Sequence, residues 1–194
     1  YPKLYVSMER AHFSKNWYDA HTALHQEDAF MLNLRQFADF LILLYDGVDG
    51  KKTVFDGNGN VVDNKRLESV LEEIVKVREP WRAEWLDAKF KKVKKEMYIE
   101  YEHRTINGEL QPQYSELLEQ CIEENCSVEL SSFNRQGLPS VEGTDFYYWK
   151  PVKKSVAGFG AGSVRAGLNC DGDPSYRYGA LGVRAVRRVS AKKI

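Results

Sequence analysis

His21 and His25 stand one helical turn apart, with Glu27 two residues on. Two imidazoles on one helix face hold a metal ion when a third protein ligand joins them. The only other histidines are His12 and His103, so no third ligand is visible in the motif and no bound metal is expected. Asp56-Gly57-Asn58-Gly59-Asn60 opens like a calcium-binding loop. That loop needs glycine at its sixth position and an acid at its twelfth. Val61 and Leu67 stand there instead, and the stretch reads as a hairpin turn. Gly158, Gly160 and Gly162 lack the spacing of a phosphate-cradling loop, and no helical pattern follows them. Cys121, Cys126 and Cys170 form neither a disulfide framework nor a paired zinc cluster. An odd cysteine count fits folding under reducing conditions, with Cys170 acting as a small apolar residue. No catalytic residues and no cofactor are expected.

Hydrophobic spacing names the elements that position these residues. A strand is expected over Tyr1 to Met8, and a helix from Lys15 to Gln26 with Ser14 as its N-cap. Trp17, Ala20, His21 and Leu24 share one face of it. Asn33 and Gln36 have the spacing of a capping box. The helix that follows carries an apolar stripe of Leu34, Phe37, Phe40, Leu41 and Leu44, with Gly47 as its stop. A third helix is expected from Asn64 to Arg78, striped by Leu67, Val70, Leu71 and Ile74, with Pro80 beyond its end. Tyr98 to His103 alternates like a strand. Leu117 to Ile122 fits a short helix, Val128 to Leu130 a short strand, and Gly137 to Thr144 a loop. Phe146 to Trp149 reads as a strand at a sheet edge, because Pro151 follows. Helices come early and strands late, which argues for one α+β domain over 1–194.

The most unusual stretch runs from Ser155 to Ala191. Phe159, Ala161, Ser163 and Arg165 fall two residues apart, and Leu168 and Cys170 resume the beat after Ala166-Gly167. A strand sends such alternate side chains to opposite faces. These 37 residues contain no Lys, Glu, Gln, Met or Trp. The composition of the whole chain would place about nine there. Polarity comes instead from Arg, Asp, Asn, Ser and Tyr. Arg165, Arg177 and Arg184 are expected to hold irregular loops by bridging carbonyls and acids.

Within this stretch, Val164-Arg165-Ala166, Asn169-Cys170, Pro174, Arg177 and Leu181-Gly182-Val183-Arg184 form a pattern. It resembles the C-terminal variable region of diversity-generating retroelement variable proteins, closest to those of archaeal viruses. The resemblance implies a C-type lectin fold of the formylglycine-generating-enzyme-like branch. It also implies that an error-prone reverse transcriptase randomises template adenines over residues 155–188. An asparagine codon randomised at its two adenines never yields Lys, Glu, Gln, Met or Trp, which fits the gap. The resemblance assigns Phe159, Ala161, Ser163, Arg165, Leu168, Cys170, Pro174, Arg177 and Leu181 to Arg184 to the framework. The implied ligand-contacting set is Gly160, Gly162, Val164, Gly167, Asn169, Asp171, Gly172, Asp173, Ser175, Tyr176, Tyr178, Gly179 and Ala180. Trp81 to Ala88 also resembles a segment of the wider superfamily, and its tryptophans are expected in the core.

The implied function is display of a varied surface to a macromolecular ligand, a protein or a cell-surface target. An enzyme of the formylglycine-generating type would need a second cysteine near Cys170 in the C-terminal core. An undiversified structural domain of a virion or surface protein is the remaining alternative. Lys plus Arg equals Asp plus Glu at 28 each, so no net field points to nucleic acid or to a membrane surface. No apolar run approaches the ~20 residues a membrane helix needs, and no secretory leader is visible.

Overall fold

Leu34, Phe37, Leu41 and Leu44 return to one side of a helix every three or four residues, and all four are buried. The computed structural model describes residues 4–189 and has a mixed α+β architecture. In chain order its elements begin with β1 (Leu4–Ala11), α1 (Trp17–Gln26), β2 (Phe30–Met31), α2 (Leu34–Val48) and α3 (Asn64–Val75). The strands β3 (Arg82–Val93), β4 (Glu96–Tyr101), β5 (Arg104–Ile106), β6 (Glu109–Gln111) and β7 (Tyr114–Leu117) follow. The last are β8 (Cys126–Val128), β9 (Phe146–Trp149), β10 (Val156–Ala161), β11 (Ala166–Gly172) and β12 (Leu181–Arg188).

The main sheet runs β1-β12-β3-β10-β11-β9-β8, with β2 beside β12, β4 beside β3 and β7 beside β4. Pairing is antiparallel except for β12 with β3 and β11 with β9. Both faces of the sheet are covered. On β3, Leu86, Ala88 and Phe90 pack with α2 and α3, while Ala83 and Trp85 pack with Trp17, Ala20 and Leu24 of α1. The same parity divides β10 and β12. Ala157, Phe159, Ala161 and Val186 face α2 and α3, whereas Val156, Leu181 and Val183 face the side of α1.

Capping chemistry explains two of the helix starts. The Asn33 side chain accepts from the Gln36 N–H, and the Gln36 side chain accepts from the Asn33 N–H, closing the expected capping box. The first helix is capped by Asn16 rather than Ser14. Asn16 Oδ1 accepts from the Asp19 N–H at 2.8 Å, and Ser14 lies in the left-handed region at φ 63°.

Several expected boundaries shift. Of the strand expected over Tyr1 to Met8, residues 1–3 lie outside those described, and the strand continues to Ala11. Helix α2 passes through Gly47 to Val48, and Phe40 is only partly buried. Helix α3 ends at Val75, not Arg78, because the Arg78 N–H donates to the Gly162 carbonyl. The helix expected at Leu117 to Ile122 is absent: β7 pairs with β4 up to Leu117, and the Leu118 N–H extends the pairing to Met97. The β9 strand is not an edge strand, since it lies between β8 and β11.

One buried ion pair ties the sheet together. Arg184 of β12 meets Glu84 of β3, with Nε 2.9 Å from a carboxylate oxygen and side chains 1% and 3% exposed. Arg184 Nη1 also donates to the carbonyls of Ser7 and Met8, where β1 bulges between Val6 and Arg10. Removing one partner strands a charge in the core, which costs about 3–5 kcal/mol. Arg184→Ala is therefore expected to lose that much in urea denaturation. Replacing both partners with apolar residues (Arg184→Met with Glu84→Leu) is expected to recover most of it.

Candidate functional site

On the sheet face away from α2 and α3, β10 and β11 leave a concavity of about 590 Å³. Gly158, Gly160 and Gly162 lie at its base, where absent side chains leave space beside Trp81 and Trp85. Trp149, at the end of β9, forms another wall. Val164 and Arg165 from the β10–β11 turn, Asp171 near the end of β11, and Asp173 and Tyr176 after it line the remainder. Three tryptophans give the concavity an apolar body, and the carboxylates and Arg165 give it polar edges. Clefts of this size and lining are typical ligand sites.

The structure brings most of the expected contact set to this face. Gly160, Gly162, Val164, Asn169, Asp171, Gly172, Asp173 and Tyr176 all line the concavity and are exposed or half-exposed. Ser175, Tyr178 and Gly179 are exposed and Ala180 half-buried, beyond the lining. Tyr178 reaches back toward it, its ring 5.2 Å from that of Trp81. Two members of the set also shape the loop. Asn169 Oδ1 accepts from the Asp171 N–H at 3.1 Å, and Asp173 Oδ1 accepts from the N–H and hydroxyl of Ser175 at 2.8 Å. The Ser175 N–H first, then its hydroxyl, hold the Asp173 carboxyl below its ordinary range.

Gly167 also lines the concavity but differs from them. It is buried, and a Cβ there would meet Trp149 and the Tyr147 carbonyl oxygen at 2.5 Å. Glycine is required because β9 runs parallel and close at this point. The expected framework also needs correction. Phe159, Ala161, Leu168, Cys170 and Leu181 to Arg184 are buried, but Ser163, Arg165 and Arg177 are exposed and Pro174 half-buried. Arg165 lies over the Tyr147 ring at 4.3 Å from its centroid, at the lip of the concavity. Arg177 pairs with Asp19 at 2.6 Å in an exposed bridge of small energetic weight. Arg184 bridges an acid and two carbonyls as expected, Arg177 bridges one exposed acid, and Arg165 stacks on an aromatic ring instead.

The tryptophans divide as well. Trp85 is 5% exposed and its Nε1–H donates to the Lys15 carbonyl, yet its ring still reaches the concavity. Trp81 and Trp149 are half-buried and line it, contrary to the core placement expected of Trp81. Their position at strand ends, where a sheet face opens to solvent, was the signal available in the sequence.

A second cluster was not visible in the sequence. His103, in the turn between β4 and β5, comes beside His21 of α1 and Asp87 of β3. This cluster includes His21 but not His25, so it is a different set from the helical pair read in the sequence. His103 Nδ1 is 2.5 Å from Asp87 Oδ1, and the His103 backbone N–H donates to Asp87 Oδ2 at 3.0 Å. Burial pushes the His21 imidazole down to about 3, against the opposing pull of Asp87.

No family model, curated protein or solved structure matches the chain. Among the described residues, no helix is long and apolar enough to cross a membrane.

Burial predicts how the segment responds to substitution. Phe159→Ala is expected to cost about 3–5 kcal/mol through lost packing and a cavity. Gly167→Ala is expected to cost about 1–3 kcal/mol through overpacking against Trp149. Val164→Ser, Asp171→Asn and Tyr176→Ser combined are expected to cost less than about 1.5 kcal/mol, because exposed positions are tolerant and roughly additive. Urea denaturation of the three variants checks the order.

Proposed function

We propose that this chain is a binding-display protein whose residues 155–188 are diversified by a retroelement through adenine-directed mutagenesis. In this reading its scaffold is a C-type lectin fold of the formylglycine-generating-enzyme-like branch. It acts as a binder and not as an enzyme, and its target is a macromolecule, a protein or a cell-surface partner. One observation supports this most. Apart from Glu79, the exposed residues that line the concavity come from the segment that lacks Lys, Glu, Gln, Met and Trp, while the alternate residues Phe159, Ala161, Leu168 and Cys170 of its strands are buried.

The physical logic is a division of labour. Phe159, Ala161, Leu168, Cys170 and Val183 pack the core, so the strands form whatever stands between them. Tyr176 and Tyr178 present large, stiff, amphipathic surfaces, and Asp, Asn, Ser and Gly adapt their hydrogen bonds. Trp81, Trp85 and Trp149 lie outside the segment and offer constant apolar anchors to any ligand.

Sequencing the locus in a growing population tests this. The expected result is a reverse transcriptase gene beside a near-copy of the 3′ coding end that differs mainly at adenines. Substitutions should fall on the codons of Gly160, Gly162, Val164, Asn169, Asp171, Asp173, Tyr176 and Tyr178. A locus with no such copy, or substitutions falling equally on Phe159 and Leu168, contradicts the reading.

A further inference from the structure

Neither ring nitrogen of His21 has a hydrogen-bond partner, although the side chain is fully buried. An unsatisfied buried polar group costs about 1–3 kcal/mol and calls for an explanation. Next to it lies a second anomaly. Asp87 is 2% exposed, and its carboxylate is met by the His103 ring and backbone N–H, with His21 Nε2 3.6 Å away. A buried carboxylate needs a compensating cation. A neutral imidazole in this position offers a ring-nitrogen lone pair toward Asp87 and His103.

We propose that His21, Asp87 and His103 bind a divalent first-row transition metal of the zinc class, which clips α1 to β3 and to the turn after β4. One ligand atom from each of the three lies within 4.8 Å of the others. A tetrahedral zinc site with ligands at ~2.0–2.1 Å sets them about 3.3 Å apart. The present separations of 2.5 and 3.6 Å to Asp87 Oδ1 bracket that value. Two imidazoles and a carboxylate, with no thiolate, suit zinc, cobalt(II) or iron(II) over copper(I) or calcium. Binding exchanges the His103 Nδ1–H···Asp87 hydrogen bond for metal bonds: the Nδ1 proton is given up to solvent, and the neutral ring carries its one proton on Nε2. Asp87 and His103 also border a cavity of about 260 Å³ that includes His25, so a fourth position can be taken by water or by a small ligand. The proposal is independent of the variable surface, which draws on other residues.

The test uses the full chain without a histidine tag, stripped with chelator and titrated with cobalt(II) alone. The expected result is one equivalent per chain, seen in the visible absorption of cobalt(II), and an unfolding midpoint that rises with free metal. His21→Ala is expected to weaken binding by at least ~100-fold, more than the loss of an outer-shell partner. His12→Ala, outside the cluster, is expected to leave it unchanged. X-ray absorption of the wild-type cobalt complex, which needs no variant, is expected to show nitrogen and oxygen ligands with two imidazoles. No stoichiometric uptake, undiminished uptake by folded His21→Ala, or an absorption spectrum without imidazole scattering overturns the site. The cluster is then a metal-free hydrogen-bond network.

Discussion

The buried pairing of Arg184 with Glu84 is the constraint on which the arrangement rests. It joins β12 to β3, and through the Ser7 and Met8 carbonyls it also secures the bulge of β1. An arginine is suited to this place because its planar fork serves a carboxylate and backbone oxygens together. Two further arginines reinforce the start of β3. Arg10 donates to the carbonyls of Ala83 and Ala180, and Arg82 to those of Glu73, Ala161 and Lys76. Ala161 ends β10 and Ala180 precedes β12, so both ends of residues 162–179 are held. The loops between them can therefore change without loosening their anchors.

A sheet covered on both sides explains how one segment serves two ends. Strand parity sends Phe159 and Ala161 toward α2 and α3, and Gly158 and Gly160 toward the concavity. Substitution at the exposed positions Val164, Asp171 and Tyr176 leaves the first set untouched as long as the strands keep their register, whereas a Cβ at Gly158 or Gly160 would come within 3.0 Å of the Glu84 carbonyl oxygen or 3.1 Å of Ala83. Register is pinned on both edges of β10, by β3 and by β11. Gly167 marks the limit of this freedom. It belongs by position to the open face, but the close parallel approach of β9 leaves no room for a side chain.

The helices were legible in the sequence because their signals are local. The Asn33 capping box and the stripes of α2 and α3 depend on residues three or four apart. The beats Phe159–Ala161 and Leu168–Cys170 were legible for the same reason, but Ser163 and Arg165 fall in the exposed turn between β10 and β11. What failed depended on partners distant in the chain. Leu117 to Ile122 has a helical spacing, but β7 gains its hydrogen bonds from β4. Phe146 to Trp149 looks like an edge until β11 arrives beside it, and the proline that suggested an edge stands beyond the paired residues. Arg165 and Arg177 look like Arg184 in sequence, but only Arg184 has a buried acid opposite it. The His21 cluster needs Asp87 and His103, which only the folded topology brings together.

The central claim is that residues 155–188 alternate between a fixed interior and a tolerant, ligand-facing exterior. A saturation library over these residues, selected for resistance to proteolysis and then sequenced, tests it most directly. The account predicts strong selection at Phe159, Ala161, Gly167, Leu168, Cys170, Val183 and Arg184. It predicts near-neutral profiles at Val164, Asp171, Ser175, Tyr176 and Tyr178. A flat profile along the segment, or selection as strong at Val164 and Tyr176 as at Phe159, would contradict it.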